Sequence, residues 1–470
     1  MPHSDPARAS GYRNTARRVS LAAALLLLAT GCSADGPSPT APDDELDPSL
    51  HRGAKGARTI VVSNAEELTA ALAPQNAGRR IFVRSGTYQV AQLLQVPDGA
   101  TLEGEGVMRF DRQRRPLAFR PGTRTTIVMT GAMPGDLVTL GDGATLRRIT
   151  IEDAPGRSGN VVGIVSRGIG DRLSAFISHA ELVNPNAHMV APAGPAGCGI
   201  TILTLNPALG NAPDPHANAS VGARIDNTIV RSPATGVGCG VFAFNFAPSA
   251  NVSVRMSSNV IGGGLIANGG VSRPDFVSNS TVEIMSRSNV YRDDTPDACV
   301  SRQTGWNLQG GSAMPAPIPN AGATNNTLRM HSVNDHLERF TTGVLATGAR
   351  RFFPAPTSGD VSGNRMYLDM TGTKLSTTAC AEAPMSTDLR LAGALVTGDF
   401  EPGDGNTLHV RLRGVKGSGE RLNVYAHVLG PTGPRASTST GNILSFKGNA
   451  KMFGRVNRNI KSAPASEFFR

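Results

Sequence analysis

The chain has 470 residues, of which 54 are glycine, 5% are aromatic and 17% are charged. This composition favours β structure with many turns over coiled coils and other Lys/Glu/Leu-rich helical assemblies. The formal net charge of +10 favours acidic partners weakly, but it is too modest to indicate nucleic-acid binding, so no nucleic-acid partner is predicted.

Residues 1–31 have the pattern of an export signal. Four arginines precede the apolar run Leu21–Leu28, which is too short to span a membrane comfortably. The Ala-Thr-Gly-Cys sequence ending at Cys32 resembles the end of a bacterial lipoprotein signal peptide. The resemblance implies that Cys32 is lipidated and anchors an exported protein to a membrane, and Ser33 after it fits sorting to the outer membrane. The alternative is a plain secretory peptide in which Cys32 has no role.

Residues 32–56 are proline-rich and acidic, and they are predicted to form a disordered linker. A short helix is predicted next, because Ser63 and Glu66 fit a capping box before an apolar helix face. Such a helix would cover the open end of a stacked β structure. One β domain is predicted over residues 57–462, followed by a tail at 463–470, in a monomeric protein.

The segment 81–106 consists of short apolar runs separated by glycine-containing turns. Within it, the sequence Asp98–Leu102 is repeated letter for letter at Asp142–Leu146. A repeated phrase at a boundary between turn and strand is typical of a stacked repeat. Asparagines at similar turn positions in later repeats are predicted to stack and to satisfy each other's amides. They are Asn227, Asn259, Asn289 and Asn334.

The capping helix, short strands and turns of residues 58–153 resemble the start of a β-helix of the pectin-lyase-like superfamily. The resemblance implies an all-β fold: a single right-handed parallel β-helix, or solenoid, with an N-terminal capping helix and long loops. This fold carries lyases, hydrolases, epimerases, adhesins and structural proteins, so it does not imply one activity. The Asn-Thr-Asp, Gly-His-Gly and Arg-Ile-Lys motifs of polygalacturonases are absent from the sequence, which argues against a standard pectinolytic enzyme.

Four cysteines follow Cys32. Cys198 and Cys239 occupy the same Gly-Cys-Gly phrase, so a disulfide between stacked coils is predicted if the two coils are neighbours. Cys299 and Cys380 lie in predicted loops and could form a second bond. Buried, unreactive thiols are the alternative. No Cys/His spacing indicates zinc.

The densest basic segment follows the first coil and is a candidate for binding a polyuronate or an anionic lipid headgroup, because arginine forks bind carboxylate and phosphate in a bidentate manner. Its substrate-binding candidates are Arg109, Arg112, Arg114 and Arg115. A solvated surface loop is the alternative.

Two further clusters are candidates for chemistry. The first could supply a base and a charge neutraliser for β-elimination from a uronide; its candidate catalytic residues are His331, Asp335, His336, Glu338 and Arg339. The second cluster could bind Ca²⁺, which is the only cofactor that the sequence suggests. Alternatively, it could act as the acid and base of a hydrolase. It comprises Asp293, Asp294 and Asp297. Solvated turn residues are the alternative for both clusters.

Two functions are therefore retained. In the first, a membrane-anchored, exported β-helix binds an anionic, uronate-like polysaccharide and, as a lyase or glycoside hydrolase, cleaves it. In the second, a non-catalytic surface lipoprotein has a structural or adhesin-like role. The sequence leaves open which one applies.

Overall fold

The computed structural model describes residues 58–131, 133–157, 159–186, 189–191, 194–204, 217–232, 238–272, 276–295, 304–313, 322–351, 360–378, 387–396, 403–417, 423–425, 441–448 and 451–453. They belong to one compact unit, Leu50–Arg470. The predicted signal, the predicted linker and the tail lie outside the described residues, as do Cys32, Asp297, Cys299 and Cys380.

The described chain coils through three long sheets of parallel strands, which are called sheets A, B and C here. The coil visits them repeatedly in the order A, B, C, so that neighbouring strands of each sheet come from successive coils. This confirms the predicted fold class, an all-β parallel β-helix.

Sheet A has twelve strands, which follow one another in chain order. They are Thr59–Val62, Arg80–Val83, Thr101–Gly104, Ala144–Arg147, Arg172–Ser178, Ser220–Asp226, Asn251–Ser257, Thr281–Arg287, Thr327–Val333, Arg365–Thr371, Thr407–Arg413 and Ile443–Lys447. Sheet B has nine shorter strands, also in chain order. They are Gly86–Val90, Thr125–Met129, Thr150–Glu152, Glu181–Val183, Ile229–Arg231, Val260–Gly262, Val290–Arg292, His336–Glu338 and Lys374–Ser376.

The strands of sheet C are Leu94–Val96, Val138–Leu140, Val162–Val165, Cys198–Thr204, Cys239–Asn245, Leu265–Asn268, Thr304–Ala313, Thr342–Arg351, Thr387–Val396, Asn423–Tyr425 and Lys451–Phe453, with Val271–Ser272 paired beside Thr304–Ala313. The described residues also form three small two-stranded sheets. They are Met108–Phe110 with Pro116–Phe119, Met189–Ala191 with Gly194–Ala196, and Val277–Ser278 with Ala323–Thr324.

Alternate residues of each strand point into the coil and build a continuous apolar core. In sheet A, for example, Val252 pairs in register with Val282, and Val282 pairs with Leu328. All three are fully buried. Because side chains alternate between the faces of a strand, the residues between these core positions form the outer face. The core therefore fixes which residues each sheet presents outward.

The predicted capping helix is present over Ala65–Ala71, with Leu68 fully buried in the core. Its capping residues lie one position later than the sequence indicates. The side chain of Asn64, and not of Ser63, accepts a hydrogen bond from the Glu67 backbone N–H at 2.9 Å. The Glu67 carboxylate accepts one from the Ser63 N–H at 2.8 Å. A 3₁₀ turn over Pro74–Asn76 follows the helix.

The repeated Asp-Gly-Ala-Thr-Leu phrase forms the corner between sheets C and A. Gly99 and Gly143 adopt φ values of 66° and 65°, a left-handed conformation that glycine adopts without steric cost. Ala100 and Ala144 follow them and are fully buried. The phrase recurs because both corners need the same residue with positive φ, followed by the same small inward residue.

Two ladders of buried polar side chains run along the described coil, one at the corner between sheets A and B and one at the corner between sheets C and A. The ladder between sheets A and B consists of Thr228, Asn259, Asn289 and Asp335. The Ser332 hydroxyl connects Asp335 to the Thr373 hydroxyl in the next coil. The ladder between sheets C and A consists of Ser280, Asn326, Asn364, Asn406 and Asn442. In each asparagine pair of a ladder, the backbone N–H and the side-chain amide of one residue donate to the side-chain oxygen of the next.

The predicted asparagine stack is correct for Asn259 and Asn289 and wrong for Asn227 and Asn334. The latter two adopt φ values of 51° and 56° and precede the ladder position. Asparagine tolerates the left-handed region better than most residues, so it suits both positions. The ladder between sheets C and A was not predicted.

A disulfide joins Cys198 and Cys239, whose Cα atoms lie 4.6 Å apart on paired strands of sheet C. Among the described residues, no helix is long and apolar enough to cross a membrane.

Candidate functional sites

The outer face of sheet A carries a regular array of exposed cationic side chains. Across the five strands from Asn251–Ser257 to Thr407–Arg413, its outward positions include six arginines, against the carboxylates of Glu283 and Asp369. The arginines are Arg255, Arg287, Arg329, Arg365, Arg411 and Arg413. This surface is called the arginine face.

The charges of the arginine face are only partly neutralised. Asp369 lies 3.4 Å from the Arg413 guanidinium and 3.9 Å from that of Arg411. No ion pair joins Arg255, Arg287 or Arg329 to a carboxylate within the described part of the chain, and all three are exposed. The face can therefore accept negative charge from a partner.

An aromatic stack lies on the last two strands of the arginine face. The Tyr367 ring stacks on the His409 imidazole, with 4.9 Å between the ring centroids and 25° between the planes. The Arg329 guanidinium lies 5.4 Å from the centroid of the same tyrosine ring. Burial lowers the pKa of His409, and the charge of Arg365 adds to this effect. The histidine is therefore neutral at pH 7.

The predicted arginine-rich loop is an antiparallel hairpin, Met108–Phe110 with Pro116–Phe119, which is called the arginine hairpin. Met108 and Phe119 pack on Ile229 of sheet B. The charge of Arg115, near the hairpin turn, helps to lower the pKa of Glu338 on a later strand of the same sheet. The hairpin therefore extends along the outer side of sheet B.

The predicted binding residues of the arginine hairpin are all exposed or partly exposed. Arg109, Arg112 and Arg114 are exposed, and Arg115 is half-buried. Sheet B and the arginine face of sheet A are consecutive sides of the coil, so the hairpin lies on a different side from the arginine face.

The predicted catalytic cluster does not form one site. His331 is exposed on the arginine face, whereas Asp335 is 1% exposed inside the ladder between sheets A and B. Arg339 has a φ of 65° at a turn, and its guanidinium donates to the Thr295 carbonyl at 2.7 Å. The separation arises because the corner at Asn334 turns the chain from one sheet to the next.

Asp335 is a ladder residue. Its Oδ1 accepts from the Asn289 backbone N–H at 2.8 Å, and its Oδ2 accepts from the Ser332 hydroxyl at 2.7 Å. Burial raises the pKa of Asp335 to about 6, although these hydrogen bonds act in the opposite direction. A carboxyl enclosed in this way holds the corner together and cannot reach a bound polymer.

His336 and Glu338 do lie together, on the outer face of sheet B, and Ser376 on the next strand joins them. His336 Nδ1 lies 2.7 Å from Glu338 Oε1, and His336 Nε2 lies 3.0 Å from Ser376 Oγ. The side chains of His336 and Glu338 are 16% and 30% exposed. The hydrogen bond from His336 lowers the pKa of Glu338, as do the charges of Arg115 and Arg292. Glu338 is therefore ionised at pH 7.

The predicted calcium cluster is divided among other partners. The Asp293 carboxylate is fully buried and accepts from the Thr295 backbone N–H and hydroxyl at 2.9 and 2.6 Å. Asp294 pairs with Arg292 at 2.6 Å. Asp297 lies outside the described residues. The described residues contain no group of three or more His, Cys, Asp or Glu side chains arranged to hold a metal ion.

A carboxyl that the sequence does not single out lies against sheet C. Asp136 Oδ1 accepts from the Asn160 amide at 2.8 Å and from the Thr201 hydroxyl at 3.3 Å. Its Oδ2 rests against Gly163, where an added Cβ would lie 1.9 Å away. Burial raises the pKa of Asp136. These contacts tie the segment before Val138–Leu140 to the next two coils.

A half-open cavity of about 320 Å³ lies beside the capping helix. Leu72, Pro74 and Leu93 form its apolar wall, and Asp98 and Arg167 form a polar edge. These two residues are themselves paired at 2.7 Å, so the polar edge is satisfied internally.

Comparison of the chain with protein-family models and with curated proteins gave no match.

Proposed function

We propose that this chain is an exported, lipid-anchored β-helix protein of the pectin-lyase-like type that binds an anionic, uronate-like polysaccharide along the arginine face. The observation that carries the proposal is the array of six outward arginines against two carboxylates on five consecutive strands. Export and attachment through Cys32 rest on the N-terminal sequence.

The geometry of the arginine face suits a long, regularly charged partner. Strands within a sheet are spaced about 4.8 Å apart, so five strands present charges over about 19 Å on a rigid surface. A rigid array loses little conformational freedom when it binds an extended polymer. The planar guanidinium group also matches the carboxylate of a uronate in a bidentate manner.

The aromatic stack holds one of the arginines in place. Arg329 and His409 contact the Tyr367 ring from the two neighbouring strands. The Arg329 guanidinium therefore keeps one orientation on the face, from which it can bind a carboxylate. A nucleic acid would also satisfy the arginines, but an exported protein meets polysaccharide rather than nucleic acid as its usual polyanion.

Binding is the function that the arginine face supports, and cleavage by the predicted β-elimination cluster has less support. Of the five predicted catalytic residues, His331 alone lies on this face. Asp335 is buried in the ladder between sheets A and B, and the other three follow the corner at Asn334. They are His336, Glu338 and Arg339. The non-catalytic alternative, a structural or adhesin-like lipoprotein, shares the same binding surface.

The test compares two triple variants that remove the same charge. We expect Arg255→Ala/Arg287→Ala/Arg329→Ala to weaken binding to polygalacturonate about 30-fold, because three exposed ion pairs at about 0.7 kcal/mol each are lost. The matched control, Arg109→Ala/Arg112→Ala/Arg114→Ala, should change the dissociation constant less than about threefold. Calorimetric titration of residues 33–470 with polygalacturonate, alginate and neutral dextran measures both.

Several outcomes would contradict the proposal. If the hairpin variant loses binding and the sheet A variant keeps it, the binding surface is the arginine hairpin. Equal affinity for dextran would exclude charge recognition, and tighter binding of single-stranded DNA at the same salt would exclude polysaccharide as the partner. Binding should weaken as salt is raised, because the contacts are exposed.

A further inference from the structure

Ser376, His336 and Glu338 meet on the outer face of sheet B through strand register. His336 and Glu338 are two residues apart on one strand and therefore point to the same side. Glu338 pairs directly with Ser376 on the neighbouring strand. This places a hydroxyl, an imidazole and a carboxylate in one line, with distances of 3.0 and 2.7 Å between consecutive groups.

We infer that Ser376, His336 and Glu338 form the catalytic triad of an acyl-ester hydrolase, with Ser376 as nucleophile, His336 as general base and Glu338 as the group that orients the imidazole. The arrangement of nucleophile, base and carboxylate is what nucleophilic ester hydrolysis requires, and it recurs on unrelated folds. The site lies on a different sheet from the arginine face and does not depend on polysaccharide binding.

The contacts set the imidazole tautomer. Glu338 is acceptor-only when ionised, so His336 Nδ1 carries the proton that it donates to Oε1. Nε2 then has a free electron pair directed at the Ser376 hydroxyl, which donates to it. Neighbouring cations on Arg115 and Arg292 keep the carboxylate ionised. With the imidazole neutral, these hydrogen bonds give the arrangement of donors and acceptors that attack by Ser376 requires.

The proposed reaction has two balanced steps. Ser376 Oγ forms a bond to the acyl carbon as its proton passes to His336 Nε2. The tetrahedral intermediate then expels the alcohol oxygen, which takes that proton and leaves an acyl-serine. In the second step a water molecule loses a proton to Nε2 and attacks the acyl carbon. Collapse of this intermediate releases the carboxylic acid, and Ser376 Oγ recovers the proton.

The surroundings indicate the class of substrate. Lys374 lies two residues before Ser376 on the same face of its strand, about 7 Å away along the chain. A lysine at that distance can approach the oxyanion of a tetrahedral intermediate. Arg115 of the arginine hairpin and Arg292 add positive charge beside Glu338. The site therefore suits esters that carry negative charge near the scissile bond.

The test uses residues 33–470 of the protein, p-nitrophenyl acetate as substrate and diisopropyl fluorophosphate as a serine-directed label. We expect hydrolysis above the buffer rate and covalent labelling at Ser376, located by peptide mass. Ser376→Ala should lower kcat/KM at least about 100-fold and abolish labelling. His336→Gln should have a similar effect, and Glu338→Gln a smaller one.

A matched control removes the same residue type from sheet A, outside the arginine face and away from the triad. Ser174→Ala, at a half-exposed outward position of the strand Arg172–Ser178, should keep both the rate and the label. If Ser376→Ala hydrolyses the ester at the wild-type rate while His336→Gln does not, the imidazole attacks the ester directly. That result would overturn the proposal. So would absence of labelling at Ser376. These outcomes are independent of the polygalacturonate titrations.

Discussion

Replacing Asp335 with asparagine should raise the free energy of unfolding at pH 8 by about 3 kcal/mol. The carboxyl is 1% exposed, and burial raises its pKa to about 6 from an ordinary value of 3.8. At pH 8 the folded protein must therefore hold a charge that the unfolded chain holds in water. Asparagine has nearly the same shape and no charge, so it removes this cost.

Asparagine also continues the ladder between sheets A and B. Its side-chain oxygen would keep accepting from the Asn289 backbone N–H. The amide of Asn289 itself donates to the Met256 carbonyl one coil earlier, at 3.1 Å. An amide at position 335 would donate to the corresponding carbonyl of Ser286 and to the Ser332 hydroxyl, as the Asn289 amide donates to the Ser286 hydroxyl. The Ser332 hydroxyl, which donates to Asp335 in the wild type, can then donate to Thr373 Oγ1 instead, so no polar group is left unsatisfied.

The effect should depend on pH with a definite sign. Below about pH 4 the carboxyl is protonated in both states, and the two proteins should be equally stable. Between about pH 4 and 6 the folded state binds the proton more tightly than the unfolded chain, so the wild type loses stability as pH rises. Above about pH 6.5 the advantage of Asp335→Asn should be constant.

Urea unfolding followed by the fluorescence of Trp306 measures this difference. Trp306 is the only tryptophan of the chain; it is fully buried and lies edge-on to Tyr291 at 5.4 Å. The control is Asp369→Asn on the arginine face, which should be neutral or slightly destabilising because its carboxylate is paired with Arg413. An unchanged or lower midpoint for Asp335→Asn at pH 8 would show that the carboxylate is better solvated than its burial implies.

The fold could be predicted from the sequence because the coil repeats local rules. Gly99 and Gly143 mark equivalent corners, and alternating apolar residues mark strands. The capping residues, and two of the four stacked asparagines, were predicted one position too early in the chain. Asparagine is accepted both at positive φ and at the buried position after it, so residue type alone does not distinguish Asn334 from Asp335.

The candidate sites were harder to predict because they depend on register between coils. His336 and Ser376 are 40 residues apart in sequence and meet only through the pairing of two strands. The arginines of the arginine face are likewise contributed by separate coils, with loops of unequal length between them. The arginine hairpin and His331–Arg339 were predicted as sites because their residues cluster in the sequence. Such clustering does not indicate which side chains lie on the same face of a sheet.

Replacing Asn326 with alanine should lower the free energy of unfolding by about 4 kcal/mol. Its side-chain oxygen accepts from the Ser280 backbone N–H at 3.0 Å. Its amide donates to the Val277 carbonyl at 3.0 Å and to the Asn364 side-chain oxygen at 3.1 Å. Asn326 is fully buried, so alanine leaves the Ser280 N–H and the Val277 carbonyl unsatisfied away from water, at about 1–3 kcal/mol each. The Asn364 side-chain oxygen keeps the backbone N–H of residue 326 as its donor.

The neighbouring residue provides a control that separates the ladder from the corner. Asn325 is exposed and adopts a φ of 56°, a conformation that glycine reproduces without strain. Asn325→Gly should therefore change stability by less than about 0.5 kcal/mol. Urea unfolding followed by Trp306 fluorescence compares the two variants under one condition.

The same comparison tests whether the ladder acts as a unit. Loss of the Asn326 side chain should disturb the coils that contain Ser280 and Asn364. The Ser280 backbone N–H donates to that side chain, and the Asn364 side-chain oxygen accepts from it. Hydrogen exchange of the strands Thr281–Arg287 and Arg365–Thr371 should then accelerate in Asn326→Ala, while strands near the capping helix keep their wild-type rates. Faster exchange throughout the coil would instead indicate global destabilisation without a local role for the ladder. Equal losses of stability in Asn326→Ala and Asn325→Gly would assign the stability to the turn conformation and not to the buried amides.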